Sequence, residues 1–311
     1  MSLKPIKRIF EHINDVKDWT IEIVQIVTSK RNGTSYVGRE IILEPQNKLN
    51  DFISEIAEHY IGSKGSLDNK YIEMIEYDGS ANGKTIYHLS GTNSLISDEF
   101  NLLINALANP NVEIDPFEMR ARATAVCGTY FNEDDEALPI KLISMQNPIT
   151  VLKHKFLRNN GKFEEITNKV LSLRPTIDVV IIGEDIYFLT LAGENLFNME
   201  RSYKSLCKDY IAIIGDSGIL SDIEVFTNTA SYGHNPRRFV SYNQKRLEKL
   251  KNVQTRKRIA KKFSIPLKSD GKIDTSQEGV SEKVVKILCD KGMVDPFEDI
   301  AMEVSSAKKW E

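Results

Sequence analysis

The chain has 311 residues, of which 41% are hydrophobic and 27% charged, the balance of an ordinary globular protein and enough length for one large domain or two smaller ones. No apolar run approaches the ~18 residues that a membrane-spanning helix needs: Val179-Val180-Ile181-Ile182 is stopped by Gly183, Glu184 and Asp185. The formal charge of −3 hides an asymmetry, because residues 237–262 hold 11 Lys/Arg against the single acid Glu248, whereas the rest holds 41−11=30 basic and 44−1=43 acidic residues. A segment at +10 thus sits in a remainder at −13.

Lys4, Lys7 and Arg8 lead to Glu11 and not to an apolar stretch, which does not fit a signal peptide. Cys127, Cys207 and Cys289 are scattered, a pattern of a reducing compartment that supplies neither a disulfide framework nor paired metal ligands. The expectation is a cytoplasmic protein without a metal or other cofactor.

In chain order, Thr20 to Val27 reads as a strand paired with 34–43 across the Arg31-Asn32-Gly33 turn. Leu49, Phe52, Ile53, Ile56 and Tyr60 share one helical face. Tyr71 to Tyr77 and Thr85 to Leu89 read as a hairpin, followed by a helix from Ser97 that ends before Pro110. Arg120 to Tyr130, Leu138 to Met145 and Thr150 to Leu157 have the spacing of an antiparallel meander. Phe163, Ile166, Val170 and Leu171 mark a helix ending before Pro175. Ile177 to Ile182 and Ile186 to Leu191 are strands, and a helix runs over Glu194 to Tyr210. In the basic stretch after Pro236, Val240, Leu247 and Leu250 face inward, as do Ile259 and Phe263 of a second helix over Arg256 to Phe263. Val280 to Lys291 is the last helix, ended by Gly292. The fold class is α+β, an antiparallel central sheet flanked by helices with a helix-rich C-terminal part. The expected regions are 1–115, 116–232 and 233–311.

Common enzyme motifs appear only in damaged form. Gly79 and Gly83 enclose three residues before Lys84-Thr85, where a phosphate-binding loop has four and runs into a helix; here a strand follows. Gly215-Asp216-Ser217-Gly218 resembles a serine-protease nucleophile segment without its partners, so a polar turn is expected. No Glu-x-Lys of a metal-dependent nuclease occurs. Asp178 and Asp185, flanking a strand turn, are the pair that would serve such an enzyme. The basic segment remains. Its dense Lys and Arg suit phosphate neutralisation with counterion release, the source of sequence-independent affinity. Pairing with acids of the same chain or of a protein partner, or plain solvation, are the other readings. Candidate nucleic-acid-binding residues are Arg237, Arg238, Lys245, Arg246, Lys249, Arg256, Lys257, Arg258, Lys261 and Lys262, most of them expected at the surface. Lys153, Lys155 and Arg158 form a smaller basic group.

The run Pro175-Thr176-Ile177-Asp178-Val179-Val180-Ile181-Ile182, then Asp185-Ile186-Tyr187-Phe188-Leu189 and Asn195-Leu196-Phe197-Asn198-Met199-Glu200, continues near the C-terminus with Val284 to Lys291 and Glu303 to Lys309. This order resembles the KwaB-like family of domains of unknown function, which includes the B component of the Kiwa antiphage system, over roughly residues 120–311. The resemblance implies a cytoplasmic DNA-binding defence protein that self-associates; the nucleic acid expected is double-stranded DNA, with RNA as the alternative. It also implies a small membrane-spanning partner that recruits it to the inner face of the membrane. No functional residue of that family is matched to a position here.

Overall fold

The structure, a computed structural model, describes residues 2–29, 33–45, 47–63, 65–132, 135–151, 156–159, 162–165, 169–294 and 301–303. Two compact units emerge, one of Met1–Glu76 with Gly83–Asn198, the other of Tyr77–Asn82 with Met199–Glu311.

The first unit opens with helix α1 (Lys4–Glu11), which buries Ile6, Ile9 and Phe10 at i, i+3, i+4. Strands β1 (Lys17–Ser29) and β2 (Gly33–Ile41) pair antiparallel, with Ile23 opposite Arg39. Helices α2 (Asn47–Ile61) and α3 (Ser66–Asn69) precede β3 (Glu73–Glu76) and β4 (Thr85–Ser90), and α4 (Ser97–Ala108) follows. Then come β5 (Ala121–Phe131), β6 (Ala137–Ser144), β7 (Ile149–Val151), β8 (Phe156–Asn159), β9 (Lys162–Glu165), β10 (Lys169–Leu171), β11 (Val179–Ile182) and β12 (Asp185–Phe188). Eight strands form one sheet in the order β2-β1-β5-β6-β11-β12-β4-β3, antiparallel at every step except β3–β4. The α+β reading with a mainly antiparallel central sheet therefore holds.

Alternation along the strands sends Ile21, Val126, Leu142, Val180 and Tyr187 to one face, where Ile6 and Phe10 of α1 and Ile53, Ile56 and Tyr60 of α2 cover them. Phe10 stacks on Tyr60 at 4.5 Å. The Tyr60 hydroxyl, buried with the ring, donates to the Ile177 carbonyl at 2.9 Å and accepts its N–H at 2.7 Å. At Gly38 on β2 a Cβ would lie 2.5 Å from the Ala106 carbonyl, so only glycine lets α4 lie this close to the sheet.

Three expected elements are corrected. β3 and β4 are parallel neighbours and no hairpin, because residues 77–82 leave for the second unit before the chain returns. Residues 162–165 and 169–171 are strands, not the helix expected over 163–171 (Ile166 lies outside the described residues), and they pair with β8 and β7. The meander stops at β6, whose second neighbour is β11. In addition, the helix expected from Glu194 starts at Met199, after a 3-10 segment, Leu191–Asn195, and Asn198 in the left-handed region at φ 48°.

The second unit is helical: α5 (Met199–Asp216), α6 (Ile223–Ala230), α7 (Asn235–Arg238), α8 (Gln244–Lys251), α9 (Val253–Lys262) and α10 (Val280–Leu288), then the short pair β13 (Gly292–Val294) and β14 (Ala301–Glu303). Cys207, Ile214, Phe226, Phe239, Leu247, Val285 and Leu288 lie in its core. The loop 77–82 belongs to this unit by strong polar contacts. Lys291 Nζ, almost fully buried, meets Asp78 Oδ2 and Ser80 Oγ at 2.7 Å each, and Arg237 Nη2 donates to the Ser80 carbonyl at 2.8 Å. A Cβ on Gly79 (φ +74°) would strike the Arg237 carbonyl at 2.3 Å. Among the described residues no helix is long and apolar enough to cross a membrane.

Candidate nucleic-acid interface

The basic segment folds as two short helices joined through one residue. Asn252 ends α8 and caps α9, its Oδ1 accepting from Thr255 N–H at 3.0 Å, while Asn243 caps α8 by accepting from Lys245 N–H at 3.1 Å. Leu247, Leu250 and Ala260 are buried and Ile259 and Phe263 half-buried, which fixes the inward faces and turns most of the cations outward.

Those cations divide by their partners. Lys245, Lys249, Lys257, Arg258, Lys261 and Lys262 are exposed. The side chains of Lys245, Lys249, Lys257, Arg258 and Lys261 make neither a hydrogen bond nor an ion pair among the described residues. Arg246 is half-buried and paired with Asp290, which also accepts from Asn243 Nδ2 at 2.9 Å. Arg237 is engaged with Tyr77 and Ser80, and Arg238 with Asn235 and, at 3.5 Å, Glu282. Arg256 corrects the expectation of an outward side chain. It is 6% exposed, and its guanidinium donates to the carbonyls of Gly271 and Leu250 at 2.8 Å each, so it joins α9 to the turn at 271. A charged group buried this way satisfies backbone acceptors that would otherwise be orphaned.

Between α8, α9 and the end of α10 lies a groove of about 550 Å³. Lys245, Arg246, Lys249 and Arg258 line it, with Thr255 and Asn243 at its wall and the half-buried Ile259 over the buried Leu250 and Ile287 as its apolar part. Asp290 is its one carboxylate, so the lining sums to 4−1=+3. Ile287 and Asp290 come from outside the basic segment, and no local pattern announces their place in the groove.

The alternative metal pair does not converge. The Asp178 carboxylate is taken up by Met145 N–H at 2.7 Å and by the Thr190 hydroxyl. Asp185 holds His88 Nε2 at 2.8 Å, while Glu76 holds Nδ1 at 2.7 Å. Partial burial alone lowers the His88 pKa, but the two carboxylates outweigh it and the net shift is upward. Among the described residues no group of His, Cys, Asp and Glu is placed to hold a metal ion. Lys153 and Lys155 lie outside the described residues, as does the side chain of Arg158.

Residues 138–297, from β6 to just past β13 and including the whole groove, match the family described as Kiwa protein KwaB-like. That is just over half of the chain. The chain belongs to the KwaB-like family. Neither a curated protein nor a solved structure matches it. Membership places this KwaB-like chain in the context of Kiwa antiphage defence and suggests that it works with other proteins of that system.

Proposed function

We propose that this KwaB-like protein serves antiphage defence by binding the phosphate backbone of DNA, without reading sequence, through the outer faces of α8 and α9. The observation that carries the reading is that exposed Lys245, Lys249, Lys257, Arg258 and Lys261, whose side chains have no partner among the described residues, gather on two adjacent helices inside an otherwise acidic chain. Had the segment existed to neutralise the chain's own acids, these side chains would be engaged in ion pairs, as Arg246 is with Asp290. Lysine and arginine heads without such partners displace the counterions condensed on the phosphates, and their release favours binding most at low salt. The same reading includes self-association, a small membrane-spanning partner and a cytoplasmic location, all of which follow from the family resemblance.

The test is fluorescence anisotropy with a labelled duplex between 50 and 200 mM salt, concentrations over which a protein that neutralises ~6 phosphates drops about a thousandfold in affinity. Replacing Lys245, Lys249 and Arg258 together by Glu should keep the fold, weaken binding to unrelated sequences equally, and flatten the salt slope by roughly one unit for each phosphate no longer neutralised. A folded triple variant that binds as before, or binding that ignores salt, overturns the proposal.

A further inference from the structure

The concave part of the basic face has a floor of a different chemistry from its walls. The outside of a duplex offers phosphates, which require cations and no concavity, while its base faces are stacked within. Ile259, the half-buried apolar residue of that floor, therefore has nothing to bind in a duplex, whereas Leu250 and Ile287 beneath it belong to the core. An unpaired strand differs, since its bases swing free and rest on apolar side chains while its phosphates follow a basic groove. The volume of about 550 Å³ falls among those of sites for ligands of nucleotide size. The groove's carboxylate, which would repel a phosphate, is already held by Arg246 and by Asn243 Nδ2 at 2.9 Å. Lys245, Lys249 and Arg258 have no acidic partner among the described residues and keep their charge for a ligand. Thr255 adds a hydroxyl beside them.

We infer that the α8–α9–α10 groove seats a nucleotide of an unpaired DNA strand, with its phosphate on Lys245, Lys249 and Arg258 and its base against Ile259. This rests on the DNA-binding reading above and narrows its ligand from DNA in general to single-stranded DNA. An aliphatic floor accepts any base, so the preference is for strandedness and not for sequence.

Three labelled ligands of equal length test it on the unaltered protein at 50 mM salt: a thymidine 12-mer, a 12-base-pair duplex, and a 12-mer of abasic deoxyribose phosphate. The thymidine strand should bind about tenfold more tightly than the duplex and about fivefold more tightly than the abasic strand, the scale of one base seated on protein. Ile259→Ser should remove most of both advantages and leave duplex affinity unchanged. If duplex binds as well as the thymidine strand, or the abasic strand matches it, the groove does not seat a base and this inference falls while backbone binding stands. If none of the three binds, the DNA-binding proposal itself fails.

Discussion

Glu22 sits in the middle of β1, directly opposite Glu40 on β2, and is only 3% exposed. Its Oε2 has no hydrogen-bond partner among the described residues, although the Cys127 thiol reaches the carboxyl group. Burial, and after it the charge of Glu40, pushes its pKa up to about 7 from 4.5. A raised carboxylate pKa means that the folded protein keeps a proton which the unfolded chain releases between pH 4.5 and 7. Stability therefore declines as pH climbs through that window, and above it the full cost of a buried charge is present. Glu22→Gln should flatten the decline and stabilise the protein by about 1–3 kcal/mol above pH 7. Urea melts of both proteins at pH 5 and pH 8 check this. Equal stability differences at the two pH values would show that Glu22 is not protonated in the fold.

At the scale of the elements, α8 and α9 were legible as basic amphipathic helices because Leu247 and Leu250 stand at i, i+3 and Ile259 and Phe263 at i, i+4 among cations, although α9 starts at Val253 and not at Arg256. Which cations were structural was not legible. Arg256 and Lys257 are neighbours of the same charge, and only the position of the 271 turn, fifteen residues on, decides that one is buried and the other exposed. The groove escaped for a like reason, since Ile287 and Asp290 reach it only through tertiary packing. Strands β9 and β10 were misread because Phe163, Val170 and Leu171 lie at i, i+7, i+8, and strands of three or four residues are too short to set a period of two against that. The Arg256/Lys257 distinction is testable. Arg256→Ala should cost about 2–4 kcal/mol of stability by stranding the carbonyls of Gly271 and Leu250. Lys257→Ala should change stability by less than ~0.5 kcal/mol. Comparable losses in the two variants would mean that Arg256 does not join α9 to that turn.

Over the whole molecule, the chain order and the spatial order disagree at one place. Residues 77–82 lie in sequence between two strands of the first unit's sheet, yet they belong with the helices that begin at Met199. The sequence shows only Asp78-Gly79-Ser80 in a glycine-bearing link, which by local rules is a turn. The partners that take it elsewhere, Arg237 and Lys291, are about 160 and 210 residues away. This loop makes the second unit discontinuous. It cannot be complete as residues 199–311 alone, since Lys291 would then keep its buried ammonium without the carboxylate of Asp78. Removing one member of a buried ion pair costs about 3–5 kcal/mol, and Asp78 being partly exposed should bring the loss toward the lower figure. Asp78→Ala should therefore lower the amide-exchange protection of α5, α7 and α10 by a hundredfold or so, which is about 3 kcal/mol, and leave β1 and β5 nearly as protected as before. Asp78→Asn, which keeps an oxygen for Lys291 without the charge, should fall between. If protection drops equally in the helices and in β1 and β5, or in neither, the loop is not what completes the helical unit.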